Sequence, residues 1–222
     1  MIIEDIKIEL LVLQERINYR FVDVLLLVES LTHPSYTREQ KDDEVKQSHN
    51  QRLEFLGDSV LGLVLAKRLY ELYPDVREGK LTQYRSMLVN GDLLVVLAKE
   101  INLGQFLLLS EQEEKHQGRE RKSSLEDAYE ATIGAIYLDG GMDAVSRVLL
   151  ELYGDIPSRL AKEEGGYNPK GRLQEAVYQA DNSIQISYET VNEEGKSHEK
   201  IFTVILKIDE IEFGRGSGLT KK

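Results

Sequence analysis

The spacing of apolar residues changes once along this chain, and that change limits the folds open to it. Up to about residue 153, apolar side chains recur at three- and four-residue spacing, which indicates amphipathic helices. From Ile184 onward the alternation has a period of two, as in Ile184, Ile186 and Tyr188, and polar turns separate three such runs. The sequence therefore predicts an all-α domain followed by a small α+β domain with a three-stranded antiparallel meander.

A stretch that contains proline and glycine separates the two parts. Residues 154–167 have this composition and predict a linker. Asn168 and the proline after it then predict a helix start, because asparagine caps a helix N-terminus and proline suits the first helical position. We therefore expect a first domain over residues 1–153, the linker, and a second domain over residues 168–222.

Composition excludes several classes of protein. The 222 residues contain no Cys, which rules out disulfides, thiolate zinc sites and a Cys nucleophile. Charged residues interrupt every apolar run, and the first residues are acidic where a signal peptide is basic, so we expect a cytoplasmic protein with no membrane partner. The net charge of −11 is unusual for a simple nucleic-acid-binding module but suits a site built from carboxylates.

The segment from Asn50 to Leu61 breaks two rules of helix design. It predicts a helix with Glu54 and Asp58 four residues apart on one face. Like charges at this spacing destabilise an isolated helix by about 0.2–0.5 kcal/mol, and Gly57 between them costs about 1 kcal/mol relative to alanine. A hard divalent cation would neutralise the two carboxylates, so we interpret them as candidate metal ligands.

A second acidic pair lies on a later predicted helix. Ser123 and Glu126 form a capping-box pattern that predicts where this helix begins. Asp127 and Glu130 follow at a spacing of three, which again places both carboxylates on one face. Either acidic pair by itself is more typical of a solvated helix surface than of a metal site, so the interpretation depends on a wider pattern.

That wider pattern is a resemblance to the ribonuclease III family. The matching stretches of the first part are LTHPSY at residues 31–36, QRLEFLGDSVL at 51–61, REGKLTQYRS at 77–86 and EDAYEATIGAIYLD at 126–139. Those of the second part are GRLQE at 171–175, GKSHEKIF at 195–202 and GRGSGLTKK at 214–222, which resemble a double-stranded RNA-binding domain. The resemblance implies a helical endonuclease domain followed by an RNA-binding domain of the α-β-β-β-α type.

The resemblance implies a metal shell and a cofactor. It assigns to that shell Glu54, Asp58, Asp127 and Glu130, of which Asp58 and Glu130 are the catalytic residues. Carboxylates that hold two Mg²⁺ ions can activate water and relieve the charge on a phosphate. Oxygen ligands favour Mg²⁺, with Mn²⁺ as a substitute, over Zn²⁺.

Two further positions belong to a peripheral acidic cluster of the family. One is Glu78, which is explained equally well as a first-turn residue that complements a helix dipole. The other is Gln51, where the family often has Glu, so this residue supplies no negative charge. We expect Gln51 to alter metal or RNA contacts without abolishing cleavage.

The resemblance also implies two partners, double-stranded RNA and a second copy of the chain. Phe55 would pack against the other subunit of a homodimer. The residues implied in RNA binding are Gln174, Glu175, His198, Lys221 and Lys222. Such residues read the shape and the phosphates of a duplex rather than its base sequence. For His198, an ordinary turn residue is an alternative.

The predicted activity is metal-dependent cleavage of double-stranded RNA, which leaves 5′-phosphate and 3′-hydroxyl ends with a short 3′ overhang. Maturation of ribosomal and other structured RNA in a bacterial cytoplasm is the expected role. A protein that binds duplex RNA without cutting it is the main alternative, and a phosphohydrolase of small nucleotides is a more distant one. The family's RNA-binding domain also ends in an amphipathic helix that has no counterpart before Lys222, so we expect a truncated module.

Overall fold

The computed structural model describes residues 10–39, 48–167, 184–195 and 200–219, together with the single positions 173, 177 and 181. The chain divides into two compact units, residues 1–160 and 161–222. The described part of the first unit is helical, and the second contains one antiparallel sheet. None of the described helices has the length and apolar character needed to cross a membrane.

The helices follow one another with short connections. They are α1 (residues 10–16), α2 (Val24–Leu31), α3 (Pro34–Glu39), α4 (Gln51–Leu72), α5 (Glu78–Leu88), α6 (Gly91–Glu100), α7 (Glu111–Lys115), α8 (Lys122–Tyr153) and α9 (Ile156–Tyr167). Two short 3-10 turns lie at Leu103–Phe106 and Gly118–Glu120. Helix α8 bends at Gly141, whose φ of 74° is non-helical, so the sequence pair Gly140–Gly141 marks a break as expected.

The two long helices α4 and α8 form the centre of the first unit. On α4, Leu61, Leu65 and Leu69 recur every four residues and are fully buried, as the apolar pattern predicts. Ile133 and Ile136 of α8 belong to the same core cluster. Each such side chain contributes about 1.5–3 kcal/mol of burial, so the pairing of these helices stabilises most of the unit.

Helix α9 lies where the sequence predicted a linker. Ile156 and Leu160 are each only 2% exposed and belong to the core of the helical unit. Arg159 forms an ion pair with Glu100 at 2.9 Å and donates from Nε to the carbonyl oxygen of Tyr153 at 2.6 Å. The linker prediction is therefore wrong for residues 156–160, because proline in a first turn begins a helix as readily as it interrupts one.

The second unit contains the predicted meander. Its strands are β1 (Ile186–Glu194), β2 (Ile201–Ile208) and β3 (Ile211–Gly218), antiparallel in the order β1-β2-β3. Asp209 and Glu210 join the last two strands with φ values of 47° and 65°, which is the geometry of a two-residue type I′ turn. The Asp209 side chain also accepts a hydrogen bond from the backbone N–H of Gln185 at 2.9 Å. The predicted fold class is confirmed.

Several predictions for the second unit fall outside the described residues. They are the RNA-binding residues Gln174, Glu175, His198, Lys221 and Lys222, and most of the helix expected from Asn168, of which only Leu173 and Val177 are described, both as helical. Within the sheet, Ile205 is only 6% exposed, whereas Ile211 and Phe213 on the edge strand β3 are 66% and 69% exposed. The apolar pattern of β2 therefore corresponds to a partly covered central strand.

The anchoring of α9 can be tested by removing Arg159. Arg159→Ala loses the ion pair with Glu100 and the hydrogen bond to Tyr153, and we expect it to destabilise the helical unit by about 1–3 kcal/mol. Urea unfolding followed by circular dichroism measures this. Lys162→Ala, which changes an exposed residue one turn further along α9, is the matched control. Equal stability of the two variants would mean that Arg159 does not anchor α9.

Candidate active site

A close crossing of α4 and α8 positions the predicted acidic residues. A Cβ atom added at Gly57 would lie 1.8 Å from the carbonyl oxygen of Glu130. One added at Gly134 would lie 2.3 Å from the carbonyl oxygen of Leu53. Only glycine lets the two backbones approach this closely. The crossing brings the turn of α4 that carries Glu54 and Asp58 against the turn of α8 that carries Asp127 and Glu130.

The carboxylates at this crossing affect one another's ionisation. Burial, and after it the charges of Asp58 and Glu126, raise the pKa of Glu130 to about 8. Burial, and after it the charges of Glu54 and Glu126, raise the pKa of Asp127 to about 6. Burial and the charge of Glu126 raise the pKa of Glu54 as well. The structure therefore brings both predicted pairs into one mutually repelling group.

The donor chemistry of this group fits a hard cation. Glu54, Asp127 and Glu130 are half-buried and Asp58 is exposed, so the carboxylates are open to solvent on one side. In the conformation described, no three acidic or histidine side chains among the described residues are gathered into a complete metal site. Unneutralised carboxylates repel one another, and a cation with oxygen ligands would remove that repulsion.

Glu126 also acts on these carboxylates, although its sequence pattern predicted only a role in helix capping. Helix α8 begins at Lys122 with Arg121 at the capping position, and no side chain caps it, so the capping-box prediction for Ser123 and Glu126 is wrong. Glu126 lies four residues before Glu130, which is the same spacing as Glu54 to Asp58. This repeated spacing is the feature of the sequence that could have added Glu126 to the predicted acidic residues, because it places two carboxylates on one helix face.

Both parts of the chain match models of known protein families. Residues 23–155 match the family model described as Ribonuclease-III-like, and residues 169–222 match the double-stranded RNA binding motif. The chain belongs to the ribonuclease III family. The resemblance found in the sequence motifs is thereby confirmed for both parts of the chain, and members of this family are double-stranded-RNA-specific endoribonucleases.

Relatives in this family match the chain over almost its whole length. The chain is 44% identical over 210 residues to Ribonuclease 3 of Caldanaerobacter subterraneus subsp. tengcongensis, a match that covers 95% of this chain and 90% of the relative. It is 43% identical to Ribonuclease 3 of Desulfotalea psychrophila, and that match covers 94% of this chain and 85% of the relative.

Solved structures from the family resemble the helical unit. The nuclease domain of ribonuclease III from Campylobacter jejuni is 40% identical, with a TM-score of 0.58, and covers 64% of this chain and 90% of that chain. A second structure of the same domain, described for structural flexibility in a region involved in dimer formation, has 39% identity and a TM-score of 0.60. It covers 66% of this chain and 97% of that chain.

The two peripheral positions of the ribonuclease III pattern lie on helix surfaces. Gln51 is exposed at the start of α4, one turn before Glu54. Glu78 is exposed at the first residue of α5 and accepts a hydrogen bond from the Thr82 hydroxyl at 2.9 Å. The charge of Glu78 is not among the causes that shift the pKa of Glu54, Asp127 or Glu130. Glu78 thus lies in the first turn of α5, where a carboxylate complements the helix dipole.

An exposed apolar stripe runs along α4 beside the acidic residues. Phe55, next to Glu54, is 79% exposed, and Leu63 and Tyr70 on the same helix are 57% and 74% exposed. Gly62 lies between them, and a Cβ atom added there would meet no atom within 4 Å. Large exposed apolar side chains of this kind are typical of a surface that another protein covers.

The close helix crossing predicts that alanine substitutions at two glycines differ in their effect on stability. Gly57→Ala should destabilise the helical unit by about 3 kcal/mol or more, because its methyl group overlaps the Glu130 carbonyl oxygen. Gly79→Ala is the matched control, since open space surrounds Gly79 in α5 and alanine there should be neutral or stabilising by up to about 1 kcal/mol. Denaturant unfolding measures both. Similar effects of the two substitutions would contradict the close crossing.

The raised pKa of Glu130 predicts how stability depends on pH in metal-free buffer. The folded state holds this proton up to about pH 8, whereas the ordinary value is 4.5, so stability should fall as pH rises between these values. Glu130→Gln cannot ionise and should flatten the dependence. Melting temperatures from pH 5 to pH 8.5 with a chelator measure the effect, and Glu78→Gln is the control. An unchanged slope in Glu130→Gln would show that Glu130 ionises normally.

Proposed function

We propose that this chain cuts double-stranded RNA by metal-dependent phosphodiester hydrolysis at the carboxylates of the α4–α8 crossing. The observation that carries this proposal is the convergence of the Glu54–Asp58 pair and the Asp127–Glu130 pair at Gly57 and Gly134. Neither carboxylate pair would by itself indicate a metal site. Together they form an oxygen donor set in a chain that matches both a nuclease model and an RNA-binding model.

Mg²⁺ is the cation that we propose, with Mn²⁺ as a substitute. The four residues that would hold it are Glu54, Asp58, Asp127 and Glu130. When bound, Mg²⁺ supplies an activated water and relieves negative charge on the phosphate and the leaving oxygen. Glu130 must lose its proton to act as a ligand, and its pKa of about 8 makes cation binding tighter as pH rises through neutrality.

The ends of the cut RNA depend on which bond to phosphorus is broken. Attack of water on the phosphate with departure of the 3′ oxygen leaves 5′-phosphate and 3′-hydroxyl ends. We propose Asp58 and Glu130 as the catalytic residues. Asp58 is exposed and Glu130 is half-buried, and the charge of Asp58 is among the causes that raise the pKa of Glu130. Gln51 would contact metal-bound water or RNA at the rim without contributing charge, and Glu78 would act there as an outer carboxylate.

We propose a homodimer as the working form, in which each subunit cuts one strand and the offset cuts leave a short 3′ overhang. Phe55 is the proposed anchor of the interface, because a large aromatic side chain that is 79% exposed gains most when a partner covers it. Its position directly after Glu54 would place the partner subunit next to the metal-binding residues. A structure of the related Campylobacter jejuni domain is described in terms of dimer formation.

The second unit would hold the RNA duplex. The residues proposed for this contact are Gln174, Glu175, His198, Lys221 and Lys222. The catalytic domain would extend to Leu160 rather than end at residue 153, because the first turn of α9 packs into its core. The relatives named above come from bacteria, and we propose maturation of ribosomal and other structured RNA in the cytoplasm as the role.

The deciding experiment is cleavage of a long RNA duplex by the purified chain with Mg²⁺, beside Glu130→Ala. We expect cleavage by the parent protein and a loss of about 100-fold or more in the variant, because one metal ligand is removed. A gel-shift assay should show unchanged duplex binding by Glu130→Ala.

The alternatives give different results in the same experiment. A parent protein that binds the duplex but never cuts it in Mg²⁺ or Mn²⁺ would be a duplex-binding protein, and Gln51→Glu would then test whether the missing charge is the cause. Hydrolysis of small nucleotides with no cleavage of duplex RNA would favour a phosphohydrolase.

A further inference from the structure

The LTHPSY motif connects α3 with the start of α4 and with the segment before α7. The backbone N–H of His33 donates to the carbonyl oxygen of Leu108 at 3.0 Å, and Thr32 forms an isolated parallel bridge with Leu108. The backbone N–H of Asn50, the residue before α4, donates to the carbonyl oxygen of Thr32 at 2.9 Å. Thr32 and Asn50 are only 2% and 1% exposed. The start of α4 is therefore held by buried backbone that lies just before α3.

The side chain of His33 occupies the N-cap position of α3. Its Nδ1 atom accepts a hydrogen bond from the backbone N–H of Ser35 at 3.1 Å and lies 2.8 Å from the hydroxyl oxygen of the same residue. That oxygen in turn accepts from the backbone N–H of Ser110, the N-cap residue of α7, at 3.1 Å. We call the contacts of His33 and Ser35 with Leu108 and Ser110 the His33 junction.

The His33 junction requires a neutral imidazole. A backbone N–H can only donate, so Nδ1 of His33 carries no hydrogen and the ring hydrogen is on Nε2. A proton added at Nδ1 would face the Ser35 N–H, donor against donor, and the cap of α3 would be lost. Protonation of His33 is thus incompatible with these contacts.

The surroundings of His33 favour the neutral ring. Burial lowers the pKa of His33 below its ordinary value of 6.5. The charge of Glu113 in α7 opposes this shift, and Glu113 is itself paired with Arg121 at 2.7 Å. The charges of Arg121 before α8, of Arg38 in α3 and of His49 before α4 lower the pKa further. The balance of these groups keeps the ring neutral at pH 7.

We propose that His33 is a positioning residue, which in its neutral form fixes the start of α4 and thereby the place of Glu54 at the α4–α8 crossing. The path between them is short. Thr32 holds the backbone of Asn50, and the carbonyl oxygen of Asn50 accepts from the backbone N–H of Glu54 at 2.8 Å. The inference rests on the proposed function, because it concerns the alignment of a proposed metal ligand. It adds that acid conditions loosen this alignment.

The first test compares cleavage of a long RNA duplex with Mg²⁺ at pH 7.5, at a temperature where circular dichroism shows every variant folded. His33→Ala removes the cap, and we expect kcat to fall about 10-fold with KM nearly unchanged, because displacement of a metal ligand slows the chemical step. His33→Asn keeps an acceptor at the N-cap and should restore kcat to within about twofold of the parent. His116→Asn changes an exposed histidine after α7 and, as the matched control, should leave kcat unchanged.

The second test follows the melting temperature in a chelator, without RNA. Because the pKa of His33 is lowered in the folded state, the junction stabilises the chain above pH 6.5, and this contribution is lost as pH falls. The parent should therefore lose about 2–4 °C relative to His33→Asn between pH 7.5 and pH 5. His116→Asn should follow the parent over the same range, which separates His33 from other groups that titrate.

Three results would overturn the inference. A His33→Ala variant of lower stability but unchanged kcat would show a helix cap that has no effect on the site. Failure of His33→Asn to restore kcat would show that the acceptor at this position is not what aligns α4. Parallel melting curves of the parent and His33→Asn would show that His33 does not titrate with folding.

Two further cases also have a defined reading. Should His33→Ala not fold, Ser35→Ala decides, since it removes the hydroxyl that accepts from Ser110 and should lower kcat in the same way. A parent chain that cuts no duplex would overturn the proposed function and this inference with it. Normal cutting by the parent with unchanged kcat in Ser35→Ala and His33→Ala would overturn the inference alone.

Discussion

The contact of two backbones at Gly57 and Gly134 is the constraint on which the rest of the helical unit depends. It fixes the distance between α4 and α8, and both helices carry acidic residues on the turns that meet there. Larger residues would hold the helices apart, and the two carboxylate pairs would then be separate features of two surfaces. One steric condition thus produces both the packing of the core and the proximity of the charges.

That proximity opposes stability, and the surrounding core offsets it. Fully buried side chains such as Leu61, Leu65 and Ile133 lie in the same two helices as the repelling carboxylates. Their burial favours the paired helices strongly enough to hold Asp127 and Glu130 where the ionised forms are disfavoured. A functional site that costs stability is typical where a ligand of opposite charge completes it.

The sequence predicted the parts of this structure that depend on local spacing. The helix of Glu54 and Asp58, the sheet, and the family followed from periodicity and from motifs that lie within one segment. The contact of the Glu126 carboxylate with Gly91 joins residues 35 positions apart, and no local pattern links the two. Helix α9 was missed for a related reason, because Ile156 and Leu160 become core residues only through contacts with remote helices. Composition by itself does not distinguish a helix whose second residue is Pro157 from a loop.

The turn at Asp209 and Glu210 restricts how the second unit can vary in length. Both residues are left-handed, and the turn leaves no spare residue between β2 and β3. A single inserted residue must be taken up by a three-residue turn, because passing it into β3 would shift the register by one and exchange the two faces of the strand. Viable insertions in this hairpin should therefore be confined to lengths that form another tight turn.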